Sequence, residues 1–476
     1  MQIAIIHYHL RKGGVTRVIE HSVRLLQEAG HQVVVLASGE VPAGFPGPVA
    51  RVEELGYDED RNPQDQGRLE SALVTAAAGC LGTEPDLWHF HNHHLGKNLA
   101  LPQVVAGMAE KGKHLLLQVH DFPEDCRSYN YSRLRLHLPP ERFDLCLYPM
   151  ASHVHYAVLN GRDRDFLSRA GVPSHRLHWL PNPVSLPEVV GEIPEWPWRL
   201  WLYPTRAIRR KNLGELLLWA TVARGDDHFA TSLAPENPRE QAIYRAWVQL
   251  AGELNLPLSF DLATQSGVSF PVLLQSAHCL VTTSIAEGFG MAFLEPWLVG
   301  RPVAGRDLPE ITTDFTGAGI DLSALYPRLE IPVGWIGEDR LRAKIKEGLE
   351  ALYTHYGLPV PEANDLQRAW EAWVKDGQVD FGRLDEPLQT QVIRHLASSP
   401  VAREEVPPGL QVPSAEAVSL NRARVAEVFE ASRYGRLLEA LYQTLLASPS
   451  GPVESLDSTQ MLLGFLQPER LHLLRL

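Results

Sequence analysis

The chain opens on a short apolar run, Ile3-Ala4-Ile5-Ile6, followed by a polar loop through Gly13-Gly14. From Val15 to Ala29 the apolar residues fall at helical spacing (Val18, Ile19, Val23, Leu26), and Gly30 stands where a left-handed residue closes a helix. Val33 to Leu36 predicts the next strand. The rhythm repeats, with Leu87 to Phe90 read as strand, Leu95 to Lys111 as helix and Leu115 to His120 as strand. Strand, helix and strand at this spacing predict parallel βαβ units in a doubly wound sheet. Ligands of such sheets sit at the carboxyl ends of the strands, in the loops that follow them. The polar loops after Ile6, Phe90 and Val119 share that edge.

Five prolines between Pro181 and Pro197 interrupt the rhythm and read as a linker, placed at 186–198. The alternation then restarts: strands at Arg199 to Tyr203, Leu258 to Leu262 and Cys279 to Thr283, helices at Leu213 to Val222 and Phe270 to Ala277. The expected organisation is therefore a first Rossmann-like domain over 1–185 and a second over 199–420, enlarged across 314–415. C-terminal helices are expected over 421–476. Within these, Glu338 to Tyr356 and Asn421 to Leu446 read as long helices, Pro400 to Pro413 as a loop, and Ser458 to Leu474 as a helix broken at Pro468. The fold class is α/β, two doubly wound domains facing a cleft.

Composition narrows the function. A formal net charge of -13 disfavours nucleic acid and anionic lipid as broad partners, both of which want a basic surface. The run Gln2 to His7 has none of the regions of a signal peptide, and no apolar stretch is long enough to span a bilayer. The four cysteines lack a CxxC spacing or paired framework and read as buried, reduced thiols. A cytoplasmic protein without a transmembrane segment is expected, with peripheral membrane contact left open.

Four constellations carry chemistry. In Ser284 to Glu295, Glu287 and Glu295 flank a loop with Gly288 and Gly290, leading into a helix expected to hold Glu295 about two turns inside. Glycines let the backbone approach a ligand, a helix start favours a diphosphate, and carboxylates suit vicinal sugar hydroxyls. Pro296 restricts that helix, and solvated carboxylates remain the alternative. Arg206 to Asn212 follows a strand and opens a helix. Arg206 and Lys211 there suit a diphosphate leaving group, because cations at a helix N-terminus otherwise oppose its dipole. On the first domain, Arg11-Lys12-Gly13-Gly14 offers a phosphate or acceptor contact, and His120-Asp121 ends a strand where a reacting sugar would lie. In the cluster His89, His91, His93 and His94 the first three alternate, but no carboxylate ligand pattern accompanies them, so acceptor binding by His91, His93, Lys97 and Asn98 is preferred to a metal and packing is preferred for His89. With Arg11, Lys12 and Arg127, these hint at an anionic small acceptor.

Together the segments His9 to Arg17, His120-Asp121, Arg206 to Lys211 and Glu287 to Glu295, in this order, resemble the retaining family 4 glycosyltransferases of GT-B fold. The resemblance implies that Glu287 holds hydroxyls of the transferred sugar, with Gly288, Phe289 and Gly290 offering backbone amides. It implies that Glu295 binds the ribose, that Arg206 and Lys211 clamp the diphosphate, that His120 contacts the sugar, and that Gly14 lies beside the phosphates. It also implies a crossing of the C-terminal helices over 421–476 back onto the first domain, retention at the anomeric carbon, no cofactor and no metal, and a UDP- or GDP-linked donor with a small-molecule or glycan acceptor. A phosphorylase or nucleotide-sugar epimerase of the same fold, and a non-catalytic nucleotide-sugar-binding protein, are the alternatives.

Overall fold

The computed structural model describes residues 1–58, 65–185 and 191–475. They form two compact units: Met1–Pro183, His355–Gly357 and Phe429–Gln467 in the first, Val184–Thr354, Leu358–Val428 and Pro468–Leu476 in the second. Of the expected linker, 186–190 lie outside the described residues, and 191–198 lead directly into the second unit's first strand.

The first unit is built on β1 (Gln2–His9), β2 (Gln32–Ser38), β3 (Val49–Arg51), β4 (Leu87–His91), β5 (Leu115–Val119), β6 (Pro149–Met150), β7 (Val154–Val158) and β8 (Leu177–Trp179). Seven of these form one parallel sheet in the order β3-β2-β1-β4-β5-β7-β8, whereas β6 pairs with Glu454–Ser455. Alternation along β1 sends Ile3 and Ile5 to one face and Ala4, Ile6 and Tyr8 to the other. The first face is covered by the helices Gly14–Glu28 and Ala431–Leu446, the second by helices that include Leu101–Glu110 and Ser458–Phe465. Because β1, β4 and β5 are parallel neighbours, their carboxyl-end loops lie side by side.

The second unit repeats the plan with β9 (Arg199–Arg206), β10 (Asp227–Leu233), β11 (Leu258–Ser259), β12 (Cys279–Thr282), β13 (Val303–Arg306) and β14 (Leu325–Tyr326), in the order β11-β10-β9-β12-β13-β14. β9 and β12 are adjacent and parallel.

Several elements differ from the sequence reading. The helix expected from Leu95 begins only at Leu101, because Asn98 Oδ1 accepts from the Ala100 and Leu101 amides and Pro102 favours a helix start. Asn421 to Leu446 is not one helix. It is split into Ala415–Val428 and Ala431–Leu446, with Glu430 extended (φ -61°, ψ 140°) where the chain passes from the second unit to the first. A short helix, Pro400–Glu404, occupies part of the expected loop, and the last α-helix ends at Phe465, with a single helical turn at Leu473–Arg475 beyond it. Two of the four cysteines, Cys80 and Cys126, are exposed rather than buried.

Candidate active site

In the second unit the loops after β9 and β12 are joined. The Ile285 amide donates to the Arg210 carbonyl (3.0 Å), and Thr283 Oγ1 donates to the carbonyls of Lys211 (2.9 Å) and Asn212 (3.2 Å). This brings Lys211 Nζ onto Glu287 Oε1, while Arg210 Nη1 reaches Glu287 Oε2 at 3.3 Å. Burial would raise the Glu287 pKa, but Lys211 and Arg210 outweigh it and hold the carboxyl below its ordinary range. The result is a nearly buried carboxylate with two cations at the carboxyl ends of two adjacent strands. Downstream, Gly290 is left-handed (φ 97°), and a Cβ there would lie 2.9 Å from the Phe293 ring and 3.1 Å from Ile311. Phe289 is itself buried against Phe315, ring centroids 5.6 Å apart.

In the first unit Asn92 ties the edge together. Left-handed (φ 56°), it accepts at Oδ1 from the His120 (2.7 Å) and Asp121 (3.1 Å) amides, and Tyr8 OH donates to its carbonyl at 2.6 Å. His91 Nδ1 and His120 Nε2 are 2.8 Å apart, and their rings stack at 5.1 Å. His91 stacks in turn on His89, which bonds Tyr442 OH (2.7 Å) and Gln118 (2.9 Å). Burial keeps these imidazoles neutral: His120 is lowered to about 4 against the opposing charge of Asp121, and His89 to about 3. The loop after β1 leaves Arg11 and Lys12 exposed and starts its helix at Gly14, where a Cβ would meet no atom within 4 Å. Beside it, His9 Nε2 bonds Tyr57 OH (2.9 Å), and Lys97 Nζ stands 5.2 Å above the Tyr57 ring.

Residues 12–187 match the family model Glycosyltransferase Family 4. Over 419 residues, 81% of this chain and 79% of the relative, the sequence is 26% identical to a mannosylglucosyl-3-phosphoglycerate synthase of Petrotoga mobilis. The fold is similar to that of HepE from Anabaena in complex with UDP and glucose, at a TM-score of 0.52 and 13% identity over 93% of this chain and 99% of that one. The complex of HepE with UDP-glucose gives 0.50 and 14% over the same shares. The chain is a glycosyltransferase of GT-B fold, and its residues 12–187 are similar to family 4.

The glycosyltransferase departs from the sequence reading at several site positions. Arg206, expected to work with Lys211, is half exposed and pairs with Glu236 at 2.8 Å; the cation beside Lys211 on Glu287 is Arg210, one step along the same basic run. Glu295 does not sit two turns inside a helix but opens one of four residues, Glu295–Leu298, because Pro296 can stand only near a helix start. His93 does not face an acceptor: it is fully buried and bonds the Leu147 carbonyl at 2.9 Å. His91 is likewise buried, its Nδ1 facing His120. Arg127 is committed to Asp121, and Lys97 to the neighbourhood of Tyr57. Asn92, Arg210 and Thr283 went unread in the sequence. Only Asn92, an Asn directly after a strand, carried a local signal.

The chain lacks, among the described residues, any helix long and apolar enough to cross a membrane. The glycosyltransferase's His cluster is a stack of neutral rings, and among the described residues no three His, Cys, Asp or Glu side chains are grouped to hold an ion.

Proposed function

We propose that the enzyme transfers a hexose from a UDP- or GDP-linked donor to a hydroxyl of a small anionic acceptor, with retention and without a metal ion. The observation that carries this reading is the convergence of Lys211 and Arg210 on Glu287. Cations there would take the charge that develops on the departing diphosphate, and the carboxylate would accept from hydroxyls of the transferred sugar. The anomeric C–O bond to the diphosphate breaks and a C–O bond to the acceptor forms on the same face. The acceptor's hydroxyl proton passes to an oxygen of the leaving diphosphate. Gly288, Phe289 and Gly290 would offer amides to the donor, and Glu295 would bind its ribose. Arg206, in an exposed pair with Glu236, would be free to turn to phosphate at little cost. His120, neutral at physiological pH, would give the sugar a hydrogen bond rather than a charge.

The acceptor class is supported by the exposed Arg11 and Lys12 and by the name of the Petrotoga relative, whose product carries a phosphoglycerate. A cytoplasmic setting agrees with four free cysteines. The test is a thermal-shift panel of UDP, GDP, ADP and their sugars, with and without EDTA, followed by product analysis on glucosyl-3-phosphoglycerate and uncharged glucosides. Donor-specific stabilisation undiminished by EDTA, and an α-linked product from an α-linked donor, are expected. Turnover with inorganic phosphate and no nucleotide would replace the reading with a phosphorylase, and binding without turnover with a non-catalytic protein.

A further inference from the structure

The C-terminal segment beyond Gln467 belongs to the second unit, and Arg475 on it reaches the turn that carries Lys211. Arg383 donates to the carbonyls of Pro468 and Glu469, and Leu471 is fully buried. Leu473 packs so closely that its Cβ would lie 3.1 Å from a Cβ built at Gly348. This anchoring delivers Arg475, whose side chain is 2% exposed, to the turn Arg209–Lys211.

There its guanidinium forks across the turn. Nη1 donates to Asn212 Oδ1 (2.8 Å) and to the Leu384 carbonyl (3.1 Å), and Nη2 donates to the Arg209 carbonyl (3.1 Å). Asn212 is fully buried and left-handed (φ 53°), and it is the residue at which the chain leaves the turn to begin the helix Leu213–Thr221. Its side chain is pinned from three sides: Oδ1 accepts from Arg475 and Gln389, and Nδ2 donates to Glu215 (2.8 Å). Arg209 is held on Glu386 by two hydrogen bonds and donates to the Leu474 carbonyl at 3.1 Å, so the tail and the turn grip each other. Arg475 and Thr283 thus hold the carbonyls on either side of Lys211's position, and the Lys211 side chain is left to face Glu287.

We infer that Arg475 is a positioning residue for the donor site: from the returning C-terminal segment it fixes the Arg209–Asn212 turn so that Lys211 is presented to the donor diphosphate. The inference rests on the reading of Lys211 as a diphosphate ligand. A planar fork is needed, since a lysine carries the charge to Glu386 but cannot span the Arg209 carbonyl, Asn212 and the Leu384 carbonyl together.

The test uses the full chain with Arg475→Lys, which keeps the charge, beside Arg475→Gln, Lys211→Ala and a control, Arg470→Ala, at the pair with Glu310. Donor KM, acceptor KM, affinity for UDP and GDP, and amide exchange over 208–213 are read. Arg475→Lys should raise donor KM about tenfold and weaken nucleotide binding in step, leave acceptor KM within about twofold, and speed exchange in the turn. Arg475→Gln should do more and Arg470→Ala nothing. If Lys211→Ala weakens nucleotide binding while both Arg475 variants bind as wild type, the positioning role is overturned and the donor-site reading stands. If Lys211→Ala itself leaves nucleotide binding unchanged, the donor-site reading falls and this inference with it.

Discussion

Lys211 and Glu287 face each other as an ion pair, their side chains 15% and 9% exposed, on loops that follow two neighbouring parallel strands. The pair is sequence-distant, 76 residues apart, and exists only because β9 and β12 are adjacent. Lys211→Ala should lower turnover about 10²–10³-fold, the usual effect of removing a donor aimed at developing charge. It should also cost about 1–3 kcal/mol of stability by leaving Glu287 with only Arg210. Steady-state kinetics and denaturant titration of one preparation check both. Unchanged turnover would remove Lys211 from the chemistry.

The same pair has a pH signature. The folded-state pKa of Glu287 is depressed, so its contribution to stability is present above the unfolded carboxyl value of about 4.5 and is lost as pH falls through the lower folded value. Lys211→Ala should therefore narrow the stability gap to wild type in acid, which melting curves below about pH 4.5 measure directly.

Glu124 behaves in the opposite sense. It is fully buried, its pKa raised to about 8 by burial, and Tyr148 OH donates to it at 3.0 Å. A raised carboxyl stabilises below about 4.5 and loses that contribution as pH rises to about 8. The buried His93 and His120, lowered to about 4, are present as stabilising neutral rings above 6.5 and lose their contribution as pH falls. Glu124→Gln, whose amide oxygen still accepts from Tyr148, should flatten the fall in stability between about pH 4.5 and 8 and leave the region below 4.5 as it was. Parallel losses over that window in variant and wild type would show that the carboxyl is already ionised.

Gly14 begins a helix with open space around its Cβ position, so nothing within the unit requires glycine there. Gly14→Ala should leave the melting temperature unchanged or slightly raised, alanine being the better helix former by about 1 kcal/mol. If a substrate passes over this position, kcat/KM falls all the same. A variant that keeps full activity would take Gly14 out of the site.

On the acceptor side, Arg11→Ala with Lys12→Ala should raise acceptor KM roughly tenfold and leave donor KM alone, by analogy with other lost charge contacts to a ligand. His93→Asn, in contrast, should act through stability, because that ring is buried against Leu147. An acceptor KM unmoved by the double variant would send the anion elsewhere on the edge.

The β-strands were legible because short continuous apolar runs and glycine-marked loops are local signals; β1, β4, β5, β9 and β12 all stand where the pattern put them. Partner identity was not local. Nothing in Arg206-Ala207-Ile208-Arg209-Arg210-Lys211 says which cation reaches Glu287, since that depends on the turn imposed by Asn212 and Thr283. Alternating His91 and His93 read as one face of a strand, but β4 ends at His91 and Asn92 turns the chain inward, which buries His93. The break at Glu430 was invisible because apolar spacing continues across it.

The helix Ala431–Leu446 closes one face of a sheet that begins at Gln2: Tyr434, Leu438, Leu441, Tyr442 and Leu445 cover Ile3, Ile5, Val33, Val35 and Leu116, and Tyr434 meets Ser22 across 412 residues of sequence. On a ribosome adding about 5–20 residues per second, the first strands wait on the order of 20–80 s for that cover. Through that interval the part of this face that the helix Gly14–Glu28 leaves uncovered is open, and the chain's exposure to association with other nascent chains is timed by translation.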